Sequence, residues 1–310
     1  QIVADDRFAT GTVKFWFKAL YGREPYALPT ASGDSDYAIK LARYELDQSY
    51  ISDFATAFKN GTAGTASHGA YNLKDLLVDM IMSPLYSMAP DNSLSADEQQ
   101  VLKGNGQGIL LSPEQLARKL EHLTGKPWFH TWDAQREQWR TDFYGFYGGI
   151  DSDGVTERPA AMNTLMSTVA ERYSNEVSCK LVLDEFSTPA ANRLLFPLVE
   201  TSDTPDSSAG RSAIRANIEH LLNRLWGETS ATESDAAYNL FVALRDERIN
   251  NGATDWLYAN DTNVANDAND EWCELDWDNP NAIKTDSQQV MRPWMGVLSY
   301  LLSDYRILYE

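Results

Sequence analysis

Apolar residues recur along most of this chain three and four positions apart, and polar residues fill the gaps. Val13, Trp16, Phe17, Leu20 and Tyr21 form such a stripe from about Phe8, closed by Gly22. Ile39, Leu46, Ile51, Phe54 and Phe58 mark a second helix over roughly Asp36 to Phe58. Asn72 is placed to cap a third carrying Leu73, Leu76, Leu77, Met80 and Ile81, which ends near Ser83-Pro84. Ala89 to Gly108 reads as a linker or long loop. Beyond it stands the clearest helix start in the chain, Ser112-Pro113-Glu114-Gln115. Ser112 and Gln115 form a capping box there, with Leu111 and Leu116 spaced for a hydrophobic staple.

Tyr144 to Arg158 mixes glycines, aromatics and carboxylates. Pro159 then suits the first turn of a helix, followed by Met162, Leu165, Met166, Val169, Ala170, Tyr173 and Val177 on one face. A short helix is expected over Pro189 to Leu195. Two more are marked by Ile214 to Leu225 and by Ala237 to Leu244, and a last one carries Trp294, Val297, Leu298, Leu301, Leu302 and Tyr305. No stretch alternates with period two. The expected fold is all-α, an irregular multi-helix bundle with long loops. The expected organisation is an N-terminal helical lobe over 1–108 and a C-terminal lobe over 109–310, packed together or continuous as one domain.

The 26 basic and 45 acidic residues leave a net charge of −19 and a pI near 4.5. Nucleic acid and anionic membrane surfaces repel such a chain, so neither is expected as a partner. No apolar run reaches transmembrane length. The opening Gln1-Ile2-Val3-Ala4-Asp5-Asp6 has no initiator Met, no basic start and no apolar core. A processed piece of a longer polypeptide is therefore expected. Cys179 and Cys273 are either a disulfide, which an oxidising compartment favours, or two buried thiols. The disulfide is the preferred reading.

Asp151, Asp153 and Glu157 supply hard oxygen ligands of the kind calcium takes, and Arg158 follows them. EF-hand spacing fails, because Gly149 and Ala160 fall where ligands are required. The competing account is that these side chains cap turns and a helix start. Asp261 and Asp267, in an Asn- and Asp-rich stretch, are weaker calcium candidates. Trp128, Phe129, Trp132 and Trp139 offer either a sugar-stacking surface or, preferably, core packing. Of four histidines, His130 among these aromatics is the one to test as acid or base. No phosphate loop, dinucleotide fingerprint, zinc spacing or haem-attachment motif is present.

Several blocks resemble one another's counterparts in a known group. YGGIDSDGVTER, the helix ending NEVSC and FSTPAANRLLFPLV are similar to a region of large secreted proteins of planctomycetes and marine bacteria, a family of unknown function. RFATGTVKFWFKALYG, YNLKDLLVDMIMSPLY, LLSPEQLARKLEHLTG and WMGVLSYLLSDYRILYE resemble other parts of those proteins. The resemblance implies a secreted or periplasmic bacterial protein, mostly helical, with a c-type cytochrome module elsewhere in the polypeptide. It implies service in redox or polysaccharide metabolism and supplies no catalytic residues. Lacking a haem-attachment motif, the chain does not itself hold haem c covalently. Two functional expectations follow. The first is a module for assembly or partner binding, against another protein or the cytochrome module, with no cofactor of its own unless calcium. The second is an extracellular hydrolase or glycan-binding domain using Asp151, Asp153, Glu157, Arg158 and His130.

Overall fold

A computed structural model describes residues 6–61, 69–86, 93–102, 108–130, 133–151, 153–159, 161–255, 257 and 283–310. The chain is all-α: α-helices dominate the described residues, with a single two-stranded hairpin. It divides into two compact units, Gln1–Leu110 and Leu111–Glu310.

The first unit contains α1 (Asp6–Tyr21), α2 (Tyr37–Asn60), α3 (Leu73–Ile81) and α4 (Ala96–Leu102). Its core forms where the stripes of α1 and α2 meet α3. Val13, Phe17, Ile51, Phe58, Leu76 and Met80 are buried together there. The α1 stripe and its Gly22 stop fall as the spacing predicts, with Gly22 at φ +68°. Asp47, fully buried on α2, is held bidentately by Arg23 at 2.7 Å and by the Tyr26 amide at 2.8 Å. A buried carboxylate is tolerated only with such partners. The Arg23 guanidinium also lies over the rings of Phe17 and Tyr26, so one cation ties the loop after α1 to both helices.

The expected linker Ala89–Gly108 is corrected in part, since α4 lies within it. A second capping box starts that helix: Ser95 donates from N and Oγ to Glu98, and the Glu98 amide donates back to Ser95 Oγ at 3.3 Å. The Ser-Ala-Asp-Glu signal was legible, but the helix buries no residue, so the apolar pattern is silent.

The second unit contains α5 (Pro113–Thr124), the hairpin β1 (Phe129–His130) and β2 (Asp133–Glu137), then α6 (Thr164–Phe186), α7 (Ser208–Trp226), α8 (Ala231–Asn250) and α9 (Met291–Leu302). α9 packs on α6 and α8, and α7 lies against α8 and α9. Trp294, Val297, Leu298 and Leu301 are fully buried along α9. Trp294 meets Phe196 edge-on at 5.2 Å and Phe241 at 4.7 Å. Asp286 begins α9 by accepting the Val290 and Met291 amides at 2.9 and 2.7 Å. Burial pushes that carboxyl up despite those bonds.

Four expectations need correction here. α6 starts at Thr164, not at Pro159; Asn163 caps it by accepting the Met166 amide at 2.9 Å. Pro159 belongs instead to the preceding loop. Second, Pro189–Leu195 is not a helix but holds a single 3-10 turn, Ala190–Asn192. Glu185 on α6 takes the amides of Leu194, Leu195 and Phe196 at 2.8–3.1 Å, which removes them from helical bonding. Third, the hairpin was not expected. It is only two and five residues long and its register is irregular, so no alternation could announce it. Tyr305 lies past the end of α9 in a separate 3-10 turn, and the last helix begins at Met291.

Candidate functional site

The loop before α6 is built from the inside. Gly148 takes φ +83°, and a Cβ there would lie 2.6 Å from the Pro159 ring. A Cβ on Gly149 would meet the Tyr144 ring at 2.5 Å. Both glycines are therefore needed for close packing, one of them also for its left-handed backbone. The Tyr144 hydroxyl donates to Glu114 Oε1 at 2.7 Å on the first turn of α5. Burial pushes the Glu114 carboxyl up. Hydrogen bonds from Ser112 and Tyr144 and the Arg158 charge outweigh it, and the net direction is down.

Asp151 closes the turn. Its Oδ1 accepts the amides of Asp153, Gly154 and Val155 at 2.9, 2.8 and 2.9 Å, and its own amide donates to the Val155 carbonyl at 3.1 Å. The Val155, Asp153 and Gly154 amides hold the carboxyl below its ordinary value of 3.8. Asp153, Glu157 and Arg158 are exposed. The outer side of the segment also bares apolar groups: Phe146 is 54% exposed, Ile150 42%, Met162 37% and Leu165 50%. Met162 and Leu165 therefore do not join the core, a correction to the expected stripe. The physical reason is the later helix start, which turns the first residues outward. Beyond that start α6 is buried over much of its circumference, including Ser174, Ser178, Cys179 and Leu183.

His130 is placed elsewhere, at a cleft of about 240 Å³ between the hairpin and one face of α6. None of Asp151, Asp153, Glu157 or Arg158 lines it. Lys126, Pro127, Phe129 and His130 form one wall. On the other, Glu176, Lys180 and Asp184 stand at i, i+4 spacing beside Val177 and Leu181. Lys126 and Asp184 pair at 3.1 Å on the rim. Glu176 is set by a closed ring of contacts. Trp128 Nε1 donates to its Oε2 at 3.0 Å and the Gln138 amide at 3.5 Å, while Arg172 Nε donates to Oε1. The Arg172 guanidinium lies over Phe143, and Phe143 stacks on Trp128 at 5.0 Å and 4°. Sequence reasoning missed Glu176. Arg172, four residues before it on α6, is a local partner, but Trp128 and Gln138 come from elsewhere in the chain, and no local motif joins those to it.

The aromatic cluster is core. Trp128 and Trp139 are buried, with ring centroids 5.1 Å apart and both packed on Tyr173. Phe129, at 37% exposure, and the buried Trp128 both line the cleft. Trp132 lies outside the described residues, as do Asp261, Asp267 and Cys273. Cys179 is buried on α6, three residues beyond Glu176. Among the described residues no group of three or more His, Cys, Asp or Glu side chains is placed to hold a metal ion. No helix among them is long and apolar enough to cross a membrane.

Fold and site together define an all-α acidic protein with a pinned surface loop and a charge-lined cleft. Compared with protein-family models, curated proteins and solved structures, the chain finds no match.

Proposed function

We propose that this chain is a helical module of an exported protein, serving assembly or partner binding through the Tyr144–Leu165 surface. The observation that carries this reading is the division of that segment into two sides. Inward, Gly148, Gly149, Tyr144 and Pro159 interlock, and Asp151 is taken up by its own backbone. Outward, Phe146, Ile150, Met162 and Leu165 are bare, beside the exposed carboxylates Asp153 and Glu157. Exposed apolar side chains interspersed with carboxylates on a pinned loop suit a partner surface of apolar and basic groups, because the interlocked inner side lowers the ordering cost of binding. The resemblance makes a c-type cytochrome module of the same polypeptide the natural partner. It also supports a secreted or periplasmic location, a Cys179–Cys273 disulfide and a bacterial source. The alternative is a hydrolase or glycan-binding domain that uses Asp151, Asp153, Glu157 and Arg158 directly, with or without calcium.

Mass spectrometry of the native particle tests the two against each other. The double variant Phe146→Asp/Leu165→Asp should release a separate partner polypeptide, or undock a module of the same polypeptide as faster amide exchange at Phe146 and Leu165, while the melting temperature holds. If the particle carries no partner, and hydrolysis or glycan binding is lost on Asp151→Asn instead, the alternative stands. Peptide mapping under non-reducing conditions reads the cysteine pairing in the same sample.

A further inference from the structure

We propose that the cleft between the hairpin and α6 binds a single uncharged pyranose ring. This goes beyond partner binding by the Tyr144–Leu165 surface and does not depend on it. Size comes first: about 240 Å³ holds one sugar ring and little more. Charge comes second. The cleft carries Lys126 and Lys180 against Glu176 and Asp184, a local balance in a chain of net charge −19. Three of these four charged groups are already committed, Asp184 and Lys126 to each other at 3.1 Å and Glu176 to Arg172, and Lys180 also has a partner. A charged ligand must break or crowd one of these pairs. A hydroxyl need not, since it donates to a carboxylate and accepts from an ammonium while the pair stays whole.

Glu176 has the capacity for this. Its carboxylate has about four lone-pair sites. Trp128 and Gln138 use Oε2 and Arg172 uses Oε1, which leaves Oε1 able to accept a ligand hydroxyl. The contacts through Trp128, Phe143 and Arg172 hold that carboxylate in place before the ligand arrives, so its ordering cost is already met. The apolar part of the cleft, Pro127, Phe129, Val177 and Leu181, faces the C–H side of the ring. Phe129, the more exposed of the two aromatics that line the cleft, is the stacking platform, while Trp128 is the positioning residue for Glu176.

The test titrates the intact protein with methyl pyranosides of glucose, galactose, mannose and xylose, read by saturation-transfer NMR and calorimetry. Alanine zwitterion and benzoate serve as charged probes. At least one pyranoside should bind with a Kd of about a millimolar or better. That Kd should change by less than about twofold between ~0.05 and ~1 M NaCl, because no net charge is exchanged. Phe129→Ala and Asp184→Asn should each weaken it about tenfold, roughly one lost contact to a charged group or ring face. Both positions reach solvent, so the melting temperature checks that the fold survives. If one variant loses its melt, the other decides. The proposal is overturned if no pyranoside binds at ~50 mM. It is also overturned if binding ignores both substitutions, or if a charged probe binds more tightly with a steep salt dependence.

Discussion

At the scale of single residues, Asp151 shows how a side chain that looks chemical can be structural. Three convergent amides make its carboxylate the centre of a turn. Replacing it with Ala should speed amide exchange at Asp153, Gly154 and Val155 by about tenfold, the loss of roughly one net hydrogen bond at each site. Hydrogen exchange resolved by NMR measures this. The pH dependence has a definite sign. Because the folded carboxyl lies below its ordinary value of 3.8, its contribution is fully present above that value. The contribution is lost as pH falls through the lower folded value. Protection of the loop should therefore drop in acid in the native chain, and Asp151→Ala should show no such step. The identities of Asp151, Gly148 and Gly149 were readable as a turn. Their packing against Tyr144 and Pro159 was not, because contact with a ring is not encoded by spacing.

Among the elements, helix ends were more legible than helix faces. Caps are local: Ser112 and Gln115 satisfy each other's backbone amides at 3.4 and 3.0 Å, and Gly125 ends α5 at φ +77°. Ser112→Ala should cost about 1 kcal/mol. In a thermal melt that is a fall of about 2–4 °C for a unit of this size. Where two start signals compete, locality fails. Pro159 and Asn163 both suit a helix start, and the choice fell to Asn163 because Pro159 is engaged by Gly148. The hairpin is short and irregular in register, and past the 3-10 turn at Ala190–Asn192 the Glu185 carboxylate takes the next amides, Leu194 to Phe196. Neither had a local pattern strong enough to be read.

For the whole molecule, the acidic excess sets the response to salt. Ion pairs such as Arg215–Asp235 and Lys40–Asp34 are exposed and contribute little each. Repulsion among the remaining carboxylates acts over longer distances and opposes compaction. Raising NaCl from ~0.05 to ~1 M shortens the screening length from over 10 Å to about 3 Å. The melting temperature should rise by about 2–5 °C as a result, measured by differential scanning fluorimetry. A fall would mean that the ion pairs outweigh the repulsion.

By itself the sequence determined the helical class, the stripes of α1 and α9 and the ends marked by Ser112 and Gly22. Each depends on residues within one or two turns of one another, where backbone geometry sets the neighbours. Tertiary structure alone decided that Trp128 would hold Glu176, that Phe129 would be the more exposed of the two aromatics lining the cleft, and that His130 would part from the Asp151 loop. Those outcomes depend on which helix face meets which loop, and packing settles that across long separations in the chain.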